Sequence, residues 1–274
     1  SAFSIQHSAF SIQHSAFTMI GIFDSGLGGL SVLRAVRSLL PDHGLRYLAD
    51  SAYCPYGPRP QAEIRARSLA CGRWLVGQGA AVVVIACNTA TSAAADLLRA
   101  ELPVPVVGME PGLKPAIAAT RSGQVAVLAT SGTLRGERFA SLLERFAGGV
   151  QVSTVACPDL VAYVEAGDQD GPQARAAVAG YLAPLRARGV DTIVLGCTHF
   201  PFLRRLIADI AGPETTIIDS GAAVAAQVAR VAGPAGDRAG RRDLRCFTTG
   251  DPAEVAGPLA RVWGGPLPLA HIEL

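Results

Sequence analysis

Lysine is almost missing: Lys114 is the single lysine among 24 basic residues, the rest being arginine. Enzymes that use pyridoxal phosphate hold it as a lysine Schiff base, so such chemistry would rest on Lys114 alone. Net charge is nearly missing as well. The 24 Lys+Arg against 22 Asp+Glu leave +2, too little for a domain that grips nucleic acid through a basic surface, and no nucleic-acid partner is expected. Apolar runs are short, Ala80 to Ala86 being typical, and none approaches the roughly 20 residues of a membrane helix. The six cysteines (Cys54, Cys71, Cys87, Cys157, Cys197 and Cys246) form no C-x-x-C pair and no dense pattern. That argues for free thiols over a disulfide framework, and no His/Cys pair has zinc-ligand spacing, so no metal is expected.

A hydrophobic share of 50% against 17% charged is ample for a sizeable core and wrong for a disordered chain. At about 150 residues per domain, 274 residues make two domains or one large one. The first 18 residues stand apart. The unit SAFSIQH occurs twice and begins a third time before Thr18-Met19. It lacks the basic start and apolar stretch of a signal peptide and is too short for a coiled coil. We read it as an extension, expected to be disordered, with Met19 opening the domain.

From Met19 onward short apolar runs alternate with longer amphipathic segments, the pattern of an α/β protein with parallel sheets. Strands are expected at 20–23, 46–49, 81–86, 104–108, 124–129, 151–155, 192–195, 215–218 and 244–248. Helices are expected at 30–40, 61–78, 92–101, 134–146, 173–188, 202–210, 222–231 and 252–263, with a Gly/Pro-rich loop over 232–242. Small polar residues and thiols gather where strands end: Asp24-Ser25-Gly26, Cys87-Asn88-Thr89, Thr130-Ser131-Gly132-Thr133, Cys197-Thr198-His199 and Asp219-Ser220-Gly221. Open α/β sheets bind ligands beyond the carboxyl ends of their strands.

Cys87 and Cys197 each follow an apolar run and precede an expected helix, whose dipole would lower a thiol pKa. Two such thiols on facing halves could flank one carbon, one removing a proton while the other delivers one. A cysteine after a strand is also often just a small buried hydrophobe, and spacing alone leaves both readings open. The other four cysteines carry no such context and are read as structural.

Four blocks in order resemble the glutamate racemase family, within the aspartate/glutamate racemase superfamily. They are Gly21-Ile22-Phe23-Asp24-Ser25-Gly26-Leu27-Gly28-Gly29, Cys54-Pro55-Tyr56-Gly57, Ala86-Cys87-Asn88-Thr89-Ala90 and Leu195-Gly196-Cys197-Thr198-His199-Phe200-Pro201. The similarity runs from about Met19 to Val231. It implies two α/β lobes around a pseudo-twofold cleft, roughly 19–109 plus 220–274 and 110–219. It implies cofactor-independent racemisation of glutamate with Cys87 and Cys197 as the acid/base pair, feeding peptidoglycan synthesis in the cytoplasm, by a chain compatible with a homodimer. Asp24, His199 and Glu165 would assist catalysis. Asp24, Ser25, Tyr56, Gly57, Asn88, Thr89, Thr133, Thr198 and His199 would line the substrate site. The chain departs from the family pattern at Arg59-Pro60, Gly136 and Phe139, which bears on supporting contacts.

Other readings stand beside this one. Gly26-Leu27-Gly28-Gly29-Leu30-Ser31 nearly matches a dinucleotide fingerprint, with Asp50 downstream, but Ser31 replaces its last glycine and Asp24 would repel a pyrophosphate. A cysteine hydrolase or decarboxylase would need Cys197 and His199 but not Cys87. A two-lobed binding module would need neither thiol. Asp24 also suits a cap or Asx-turn, His199 a cap or core position, and Tyr56 an ordinary turn.

Overall fold

Runs rich in Val, Ile, Leu and Ala, apolar on both faces, suit parallel strands covered by helices. In the computed structural model, which describes residues 19–234 and 243–274, they form two parallel sheets. The strands are β1 (Met19–Asp24), β2 (Gly44–Ala49), β3 (Val82–Ile85), β4 (Val106–Val107), β5 (Gln124–Ala129), β6 (Gln151–Ala156), β7 (Thr192–Gly196), β8 (Thr216–Ile218), β9 (Leu244–Thr248) and β10 (Leu269–His271). One sheet has the order β10-β9-β2-β1-β3-β4 and the other β6-β5-β7-β8. Every pairing among the described residues is parallel; Ile22, for example, stands between Tyr47 of β2 and Val84 of β3. The expected disorder of the first 18 residues, and most of the expected 232–242 loop, lie outside the described residues.

The helices are α1 (Leu30–Leu39), α2 (Gln61–Gly77), α3 (Asn88–Glu101), α4 (Leu113–Ala119), α5 (Ser131–Leu134), α6 (Glu137–Phe146), α7 (Asp159–Glu165), α8 (Pro172–Ala187), α9 (Arg204–Ala211), α10 (Gly221–Ala232) and α11 (Pro252–Trp263). Several depart from expectation for local reasons. α3 starts four residues before the expected Ser92, because the Cys87 sulfur caps it by accepting from the Ala90 N–H at 3.4 Å. The helix expected over 134–146 is broken: Thr130 caps the short α5, and Gly136, in extended backbone, starts α6. After Cys197 comes a 3₁₀ turn, Phe200–Leu203, before α9. Short α4, α7 and β10 were not expected, being too brief to show a period.

The chain passes between the sheets twice, between β4 and α4 and between β8 and α10. These crossings are tied side by side, the Ser220 hydroxyl donating to the Glu110 carbonyl at 2.6 Å. One apolar cluster runs through both sheets. It joins Ile22, Leu30 and Tyr47 to Leu160, Val164, Leu195 and Phe200. The carboxyl ends of β1 and β3 in one sheet and β7 in the other carry the residues of interest.

Candidate active site

Asp24, the last residue of β1, is fully buried. Its two carboxylate oxygens organise the glycine turn that follows. The Ser25 N–H donates to Oδ1 at 2.7 Å, and the Gly29 N–H donates to Oδ2 at 2.5 Å. The Thr198 hydroxyl, arriving from the other sheet, also donates to Oδ2, at 3.3 Å. Asp24 is therefore both a turn organiser and the bridge from the glycine turn to the Cys197 turn. Burial, together with the Glu165 charge, outweighs the His199 charge and the turn N–H groups and holds its carboxyl above the usual range.

Cys87 lies beside this carboxylate, its Sγ 3.9 Å from the Ser25 hydroxyl. The expectation of a lowered thiol pKa is overturned here. Burial first, and then the Asp24 charge, push Cys87 well above the ordinary thiol value, although the Ala90 N–H at the start of α3 works the other way. The charge of Cys197 adds to the same shift. Cys197, after β7, faces the His199 ring, Sγ to Nδ1 being 3.6 Å. Both cysteines are buried, with 5% and 6% of the residue exposed against none for Cys71 and Cys157.

On its far nitrogen, His199 meets Glu165 Oε1 at 2.5 Å, at the end of α7. The same oxygen accepts from the Leu27 N–H at 2.6 Å. Burial alone would lower the histidine, but its contacts with Cys197, Cys54 and Glu165 raise it well above its ordinary value. Burial alone would raise Glu165, but the His199 contact holds it low. Both shifts favour the charged form of the pair, imidazolium beside carboxylate.

The glycine turn serves this cluster. A Cβ on Gly28 would sit in the His199 ring, and one on Gly26 would strike Glu165 and Cys54. The near-fingerprint of a dinucleotide site therefore has another cause: the glycines make room for buried side chains. Ser31, which breaks that fingerprint, places its hydroxyl 2.9 Å from the Thr198 carbonyl and so steadies the Cys197 turn.

The remaining expected residues fall around this centre. Thr89 Oγ1 lies 2.8 Å from Thr130 Oγ1 and 3.3 Å from Thr133 Oγ1, a buried hydroxyl triad joining α3 to α5. Gly57 packs against the Thr130 side chain. Asn88 is buried, and neither its amide nitrogen nor its oxygen has a partner among the described residues. A group of that kind is normally satisfied by a ligand or water. Tyr56 does not present a free hydroxyl: it donates to Asp50 Oδ2 at 2.6 Å. Asp50 also accepts from Arg67 at 2.7 and 3.0 Å and from Thr249 at 2.8 Å. This buried carboxylate anchors the Tyr56-Gly57 loop to β2, α2 and the end of β9.

Three contributors escaped sequence reasoning. Thr130 stood among the strand-end residues without being singled out. Asp50 enters the sequence analysis only as the acid downstream of the near-fingerprint. Cys54 was read as structural, yet it forms a cluster with Glu165 and His199. Burial and the Glu165 charge push its thiol up to about 12. Lys114 sits exposed on α4, 6.0 Å from the Phe146 ring.

Residues 30–228 match the family model for Asp/Glu/hydantoin racemases. The chain is 50% identical over 250 residues to a glutamate racemase of Pseudomonas aeruginosa, covering 90% of this chain and 94% of that one. Among solved structures it resembles glutamate racemase RacE1 of Bacillus anthracis, with TM-score 0.84, 31% identity, and coverage of 94% and 98% of the two chains. It also resembles the Escherichia coli glutamate racemase in complex with L-glutamate and the activator UDP-MurNAc-ala, with TM-score 0.84, 34% identity and coverage of 93% and 97%.

Proposed function

The chain belongs to the Asp/Glu/hydantoin racemase family, and from that premise we propose that it interconverts L- and D-glutamate without a cofactor. One thiolate of the Cys87/Cys197 pair removes the Cα proton, and the thiol of the other delivers a proton to the opposite face. The protonation states of the pair exchange, and the reverse turnover restores them. What carries the reading is the meeting of two thiol-bearing turns, one after β3 of the first sheet and one after β7 of the second, beside the Asp24–Thr198 hydrogen bond.

The Cα–H of an amino acid is very weakly acidic, so the site must stabilise the developing carbanion. N–H groups of the turns after β1, β3 and β7, held in a water-poor site, are suited to that. His199, kept cationic by Glu165, assists the Cys197 proton. Asp24 stands beside Cys87 and suits the substrate ammonium. Ser25, Tyr56, Gly57, Asn88, Thr89, Thr133 and Thr198 line the rest, with the orphaned Asn88 amide taking a carboxylate or ammonium group. We assign 19–109 plus 220–274 and 110–219 as two lobes that close on substrate about the paired crossings. Supply of D-glutamate for peptidoglycan in the cytoplasm, and assembly as a homodimer, complete the proposal.

The test is circular dichroism and mass spectrometry of glutamate incubated with the protein in deuterated water. Racemisation with deuterium at Cα is expected. Cys87→Ser or Cys197→Ser should each abolish racemisation, while a single-thiol variant still exchanges the proton of one enantiomer. Full turnover by Cys87→Ser would favour a single-cysteine hydrolase or decarboxylase, and binding without exchange a binding module.

A further inference from the structure

Cys54, Glu165 and His199 are far apart in sequence, yet a sulfur, a carboxylate oxygen and a ring nitrogen from the three lie within 4.8 Å of one another. Sequence spacing argued against metal ligation because it sees only local pairs. Here the loop after β2, the end of α7 and the turn after β7 supply one donor each, around the Gly26 backbone. Cys54 and Glu165 are half-buried, so the cluster can be reached from solvent. We propose that these three side chains form a binding site for a borderline-soft divalent cation such as Zn²⁺, and that its occupation inhibits turnover.

The donor set suits the ion. Thiolate, imidazole and carboxylate are the ligands Zn²⁺ prefers, and three protein donors leave a fourth tetrahedral position for water. Ligand distances of about 2.0–2.3 Å place neighbouring donors roughly 3–4 Å apart. The Glu165–His199 contact of 2.5 Å must therefore open slightly to admit the ion. On binding, the Cys54 thiol proton and the proton on the coordinating ring nitrogen pass to solvent, and no bond other than S–H and N–H is broken. Inhibition follows from position. His199 also faces Cys197 at 3.6 Å, and a ring fixed to a metal can no longer exchange its Glu165 partnership while serving that thiol. The proposed racemisation does not use Cys54, so this site is additional to the two-thiol pair.

Co²⁺ reports binding without any turnover. Added to the Cys87→Ser/Cys197→Ser chain, it should give a thiolate-to-cobalt charge-transfer band at one equivalent. Adding Cys54→Ser should abolish that band, and adding Glu165→Gln should weaken binding roughly tenfold. A double variant without the band, or a band that survives Cys54→Ser, overturns the proposal and leaves the racemase reading untouched. In the otherwise unaltered chain, Cys54→Ser should raise the Zn²⁺ concentration for half-inhibition roughly tenfold or more. An unchanged value would also overturn it, placing inhibition on the catalytic thiols.

Discussion

At the scale of single residues, the site is built by side chains competing for a dry space in which every charge alters its neighbours. Cys87 shows the outcome. Helix capping by the Ala90 N–H favours the thiolate, but burial and Asp24 oppose it and win. Below its raised pKa the thiolate fraction climbs roughly tenfold per pH unit. Alkylation of Cys87 by iodoacetamide, followed by peptide mass spectrometry in the ligand-free protein, should therefore be slow at neutral pH and still accelerating at pH 9. A plateau near neutrality would contradict this account. Gly28 is the second residue-scale case, since its missing Cβ is the space the His199 ring occupies. Gly28→Ala should shift that ring by a fraction of an ångström to an ångström, enough to cost about 100-fold in kcat. Racemisation assays on both enantiomers, with the melting temperature as a folding control, check this.

At the scale of elements, carboxylates at the ends of strands join pieces that the chain presents separately. Asp191, just before β7, accepts from the Thr120 hydroxyl at 2.6 Å and from the Arg121 and Ser122 N–H groups at 2.7 Å each. It thereby fixes the turn between α4 and β5. Burial would raise this carboxyl, but the Thr120, Ser122, Arg121 and Thr192 donors outweigh it and hold it well below the usual carboxylate range. A folded-state pKa below the unfolded one makes the contribution complete above about pH 4, and it is lost as pH falls through the folded value. Asp191→Asn should therefore cost roughly 2 kcal/mol at neutral pH. The gap from the unaltered chain should narrow as urea midpoints are measured from pH 5 downward. A gap constant across that range would remove the carboxylate from the argument.

At the scale of the molecule, the two sheets share an apolar cluster, and the chain crosses between them at two tied points. Elements that bury surface against each other lose stability together. Calorimetry should show one unfolding transition rather than separate ones for the proposed lobes. On the proposed site between the turns of both sheets, saturating glutamate should stabilise the chain by about 2.7 kcal/mol at 100 times its Kd. For a chain of this size that is a rise of roughly 5–10 °C in Tm. Two separated transitions, or stabilisation of only one of them, would place substrate on one half alone.

Much of this was legible from residues alone, because the governing physics is local. Strand runs and helical periods are written in neighbouring residues, so β5, β9 and α11 lie where the pattern puts them. Thiols after strands, with Thr or Asn behind them, mark the ends where a site can form, and four ordered blocks point to one family. Tertiary structure decided what depends on distance through space. The meeting of Cys54 with Glu165 and His199 and the Tyr56–Asp50–Arg67 anchor both join residues from separate elements. So does the upward shift of the Cys87 thiol, since desolvation and a neighbouring charge act across the fold, and no run of residues around Cys87 records how deeply it will be buried or what will lie beside it.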